Sequence, residues 1–66
     1  MLILTRKPGQ LLTIEPHKTL DLLTPVYELF AYGPIEVTVL RIRGSQVRLG
    51  IQADPRLQVL REELAG

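Results

Sequence analysis

The stretch Ile35-Glu-Val-Thr-Val-Leu-Arg-Ile-Arg43, then Gly44-Ser45, then Gln46-Val-Arg-Leu-Gly-Ile-Gln52 decides the fold. Its first arm alternates Ile35, Val37 and Val39 with Glu36 and Thr38, the period of a half-buried strand over 35–43. The phase then changes, because Leu40 and Ile42 are the apolar residues; one extra residue near Val39–Leu40, a β-bulge, accounts for the change. Gly44-Ser45 is a tight hairpin signal with glycine in the first position. The return arm places Val47, Leu49 and Ile51 on one face and Gln46, Arg48, Gly50 and Gln52 on the other.

Three more strands follow outward from this hairpin. Leu2–Arg6 is a short aliphatic run, and Lys7-Pro8-Gly9-Gln10 carries the proline and glycine of a type II turn. Residues 11–15 form the next strand, so residues 2–15 read as a second hairpin. Beyond Gln52, Asp54-Pro55 marks a turn and Leu57–Arg61 a fifth strand. Residues 62–66 are too few for a stable helix of their own.

Residues 16–34 break the strand pattern. Thr24 is a helix cap with Pro25 in the first helical position, and Glu28 sits in the first turn, where the helix dipole favours it. Val26, Leu29 and Phe30 give an apolar stripe, and Gly33-Pro34 ends it. The expectation is a helix of about two turns over 24–32. Its spacing assigns Tyr27, Phe30 and Tyr32 to packing ahead of base stacking. The fold class is therefore all-β with one inserted short helix: a single domain over 1–66, five antiparallel strands, and a helical insertion at about 16–34.

A chain of 66 residues buries only about 60% of the surface its unfolded form exposes. Chains this small need a disulfide, a metal or a partner subunit. There are no cysteines, and His17 alone cannot hold a metal, so no metal site or cofactor is expected. Association remains, and a homodimer is the expected state, since pairing across two chains would also cover exposed sheet edges. The apolar opening is too short for a signal peptide or membrane span, so no membrane partner is expected and the cytoplasm is the default location.

The net charge of +1 hides an uneven distribution. Arg6 and Lys7 lead the chain without an acid, the segment 15–36 carries four acids against Lys18, and the segment 37–61 carries five arginines against Asp54. Six of the eight cations are arginine, which forks onto phosphate and stacks on bases, although a solvated strand face explains the pattern equally well. No nucleophile–base pair, glycine-rich phosphate loop or cofactor motif occurs, so an enzyme is not expected.

Met1-Leu-Ile-Leu-Thr-Arg-Lys-Pro-Gly9, Val37-Thr-Val-Leu40, Gly44-Ser-Gln-Val-Arg-Leu-Gly-Ile51, Ala53 and Val59-Leu-Arg-Glu-Glu-Leu64 resemble, in order, the CsrA/RsmA family of bacterial carbon storage regulators. Together they span about two-thirds of the chain. The resemblance implies a β-rich homodimer in which the first strand of one subunit lies beside the last strand of the other. It implies binding of GGA-containing segments of mRNA leaders or regulatory small RNAs, with effects on translation or mRNA stability. The family's key positions fall on Leu4 and Arg6, with Thr5 between them, and on Arg61; Leu57, Val59 and Leu60 accompany it, and Ala53 lies in a loop whose backbone meets bases. Lys7 and Arg56 complete the RNA-binding set as phosphate contacts, and Arg41, Arg43 and Arg48 are second-tier candidates; for Arg48 a salt bridge with Glu36 is as good a reading.

Departures accompany the match. The insertion at 16–34 is similar to an RsmN-like branch with an inserted helix and a rearranged dimer, which leaves strand exchange between subunits open. Asp54 stands where proline is expected, with Pro55 following, and Leu60 stands where histidine is common. The family's C-terminal helix is nearly absent, and the inserted helix is expected to cover the surface it would have covered. Glu62-Glu63 would orient Arg61. The alternative function is a paralogue that pairs with family members or a protein antagonist and binds RNA weakly.

Overall fold

A computed structural model describes residues 1–61. Five strands and one helical turn occur in the order β1 (Leu2–Arg6), β2 (Leu12–Pro16), α1 (Val26–Leu29), β3 (Glu36–Arg43), β4 (Gln46–Gln52) and β5 (Leu57–Arg61). They form two antiparallel sheets, a three-stranded one in the order β1-β4-β3 and a two-stranded one of β2 and β5.

The central hairpin matches its sequence. The register shifts between Val39 and Arg41, so Leu40 is the extra residue of a bulge. Gly44 has φ +58° while Ser45 has no positive φ, the pattern of a glycine-first hairpin turn. Leu40 lies over Gly50: a Cβ on Gly50 would come within 3.1 Å of the Leu40 side chain and 2.8 Å of the Met1 sulfur.

The expected hairpin of residues 2–15 does not form. The turn is present, with Gln10 N–H donating to Lys7 O at 3.0 Å and Gly9 at φ +83°, but the strands part into different sheets. A type II turn has the wrong twist for a tight hairpin and splays its arms. β1 pairs along its whole length with β4, from Leu2 opposite Ile51 to Arg6 opposite Val47. β2 pairs with β5, from Leu12 opposite Arg61 to Pro16 opposite Leu57.

The helix is shorter than its signals imply. It keeps four residues, Pro25 replaces Thr24 as the cap residue, and no side chain caps it. A turn upstream consumes the sequence meant for the lead-in: Asp21 accepts from Leu23 N–H through its side chain and from Thr24 N–H through its carbonyl. The aromatic residues expected to pack remain open to solvent within the chain, Tyr27 at 74%, Phe30 at 43% and Tyr32 at 99% exposure. The helix therefore does not cover an apolar surface in the way expected.

Among the described residues, Leu4 and Ile51 are the buried hydrophobic ones and Arg6 is the buried charged one. The apolar face of the larger sheet is open along β3, where Val37, Val39 and Ile42 are all exposed. Residues 62–66, including the expected Glu62-Glu63 partners of Arg61, lie outside the described residues.

Candidate nucleic-acid interface

Alternation along β1 sends Leu4 and Arg6 to one face and Ile3 and Thr5 to the other. Leu4 and Arg6 point inward. The Arg6 guanidinium donates to the Thr5 carbonyl at 2.8 Å and to the Leu11 carbonyl at 3.0 Å. Buried and so engaged, Arg6 ties the end of β1 to the chain beyond its turn. Gln10 supports the same turn, its side-chain oxygen accepting from Lys7 N–H at 2.9 Å.

β1 and β5 nevertheless border the same groove. It is lined by Leu2, Ile3, Leu4, Val59, Leu60 and Arg61. Leu57, Val59 and Leu60 are half-buried in β5, and Arg61 is exposed at its end. β1 pairs only with β4 and β5 only with β2 among the described strands, so each keeps one edge of backbone N–H and C=O groups without a strand partner. Leu2 and Ile3 were absent from the expected set; the alternation of β1 carried no signal that singled them out from Leu4.

The loop between β4 and β5 is built around Asp54. Its carboxylate accepts from Arg56 backbone N–H at 2.8 Å and from Arg56 Nε and Nη2 at 2.9 Å each. Leu57 N–H closes the turn on the Asp54 carbonyl at 2.9 Å. The Arg56 side chain and then its backbone N–H hold the Asp54 carboxyl at about 2, below its ordinary 3.8, against the opposing effect of burial. The same contact raises the Arg56 pKa. Arg56 also reaches the inserted segment, donating to the Glu28 carboxylate at 3.3 Å and to the Glu28 carbonyl at 3.0 Å, while its own carbonyl accepts from His17 N–H at 2.8 Å. Arg56, expected as a phosphate contact, is a clamp in the described chain that joins the insertion to the loop carrying Ala53. The Asp54-Pro55 order has its physical meaning here, because an aspartate in that place supplies the carboxylate the clamp needs.

A second basic feature lies on the outer face of the larger sheet. Thr5, Arg41, Arg43, Gln46 and Arg48 line one cleft. The bulge sets Arg41 directly opposite Arg48 across the β3–β4 pair, and Thr5 opposite Arg48 on the other side. The salt bridge of Arg48 with Glu36 does not form, since Glu36 pairs in register with Gln52. Like charges opposite each other oppose pairing, and an anion in the cleft would offset that. Among the described residues, no group of acids or histidines could hold a metal ion, and no helix is long and apolar enough to cross a membrane.

With strands, groove and loop in view, comparison with known proteins defines the class. The family model described as the CsrA global regulator protein family matches residues 28–66, more than half of the chain. The chain belongs to this family, one of regulators. It is 34% identical, over 64 residues, to the translational regulator CsrA of Solidesulfovibrio magneticus. That alignment covers 97% of this chain and 60% of the relative, so the chain spans less than two-thirds of the length of the protein it matches. No solved structure gives a significant match.

Proposed function

We propose that this chain is a sequence-specific, RNA-binding post-transcriptional regulator that takes GGA-containing segments of mRNA leaders or small RNAs and thereby alters translation or mRNA stability. The observation that carries this reading is the groove shared by β1 and β5, with Arg61 exposed at its end. Single-stranded bases present edges to unpaired backbone groups, and an arginine adds a fork for a base edge or a plane for stacking. Leu4, Leu57, Val59 and Leu60 form the apolar floor, and Ala53 continues it through its loop. Arg6 and Arg56 serve as positioning residues, holding β1 and the Ala53 loop, while Thr5 lines the arginine cleft and Lys7 follows β1 in its turn. Arg41, Arg43 and Arg48 attract phosphate without reading sequence.

The working unit in this reading is a homodimer in the cytoplasm. A chain whose buried hydrophobic residues are Leu4 and Ile51 leaves its β3 face to be covered by a second copy. The protein-antagonist reading draws on the same open face. A direct test is binding of a hairpin RNA with a GGA loop against one with the GGA disrupted. The proposal expects a preference of about tenfold or more, roughly 1.4 kcal/mol; equal affinity would refute it.

A further inference from the structure

We propose that the cleft between the inserted segment and the β4–β5 loop takes one base of the RNA, a nucleotide flanking the part held by β1 and β5. This inference rests on the RNA reading above and adds a site that the inserted segment creates.

The cleft has a volume of about 500 Å³, and Leu29, Tyr32, Pro34, Glu36, Gln52 and Ala53 are among its walls. It is continuous with the groove. Gln52 and Ala53 also border a neighbouring hollow that reaches Leu2 and Val59, and those two residues line the β1–β5 groove. A strand leaving the groove over Ala53 therefore passes the cleft mouth.

Its chemistry suits a base and repels a phosphate. Tyr32 stands at the rim with 99% of its surface exposed, so both faces of its ring are open to stacking. Pro34 and Leu29 offer apolar contact. Glu36 and Gln52 sit directly opposite each other in the β3–β4 register. A carboxylate accepts from the N–H groups of a base edge, and an amide both donates and accepts. Arg56 and Asp54 also line the cleft, but they are paired with each other and Arg56 with Glu28, so Glu36 is the charge in the wall that carries no ion pair among the described residues. The wall is also set in place before binding, because Arg56 ties α1 to the loop through Glu28.

The test uses the full chain and a GGA hairpin RNA in which each nucleotide flanking the GGA is replaced in turn by an abasic one. In the unaltered protein, one flanking position is expected to lose roughly 5- to 150-fold in affinity, the range for one stacked base. Tyr32→Ala should lose a similar factor on the intact RNA and become indifferent to the abasic change. The side chain is exposed, and the abasic arm alters the RNA alone, so a folding defect cannot imitate the pattern. Tolerance of every abasic position within twofold, with GGA preference intact, would overturn this inference and leave the RNA reading standing. So would an abasic loss that persists undiminished in Tyr32→Ala. Absence of GGA preference in the unaltered protein would overturn both.

Discussion

Asp54 and Arg56 form a dense cluster of side-chain bonds, and their charge makes it pH-dependent. Asp54 ordinarily titrates near 3.8 and in the folded chain near 2, so folding favours its ionised form. Stability from the clamp is fully present above pH 4, declines as pH falls between about 4 and 2, and is gone below that window. Asp54→Asn should therefore unfold more easily than the unaltered chain at pH 7, with the gap closing as pH is lowered to 2. Urea titrations followed by circular dichroism across that range check it; a gap independent of pH would mean that the carboxylate charge contributes nothing. Arg56→Lys should lose part of the same stability, because an ammonium cannot span both Asp54 oxygens and Glu28 with a planar fork. None of this was legible from spacing. Arg56 read as a phosphate contact because its partner in the insertion, Glu28, is far away in sequence, and only the folded chain brings them to 3.3 Å.

At the level of elements, sequence and structure agree where local signals act alone. β1, β4 and β5 begin and end where the alternation places them, and the bulge falls at Leu40, where the phase of β3 changes. Gly44 is tied to its turn by φ +58°. Gly44→Val should cost about 1–3 kcal/mol, the range for a side chain forced into a sparsely populated backbone region, measured as a lower denaturation midpoint. A neutral substitution would show that the hairpin tolerates another turn. The partners of β1 and β2 were not legible, because pairing is a choice among strands and the intervening turn fixes only direction. The helix was overestimated because its cap, stripe and terminator are individually favourable, whereas a four-residue helix reflects too little burial to extend it.

For the whole molecule, the open β3 face is the surface that the proposed second copy would cover. Sedimentation at micromolar concentration should give a dimer, and a monomer would contradict that part of the account. The arginine cleft adds a long-range term. Replacing Arg41 with Gln should reduce the slope of log affinity against log salt by about 0.7, the value for one phosphate contact on a single strand, while leaving the preference for GGA unchanged. The family was legible from short motifs in order. The most direct measurement is the affinity of Arg61→Ala for a GGA hairpin beside that of the unaltered chain. The account predicts a loss of about 5- to 150-fold, the 1–3 kcal/mol of a specific arginine contact; a change within threefold would contradict the assignment of the groove between β1 and β5.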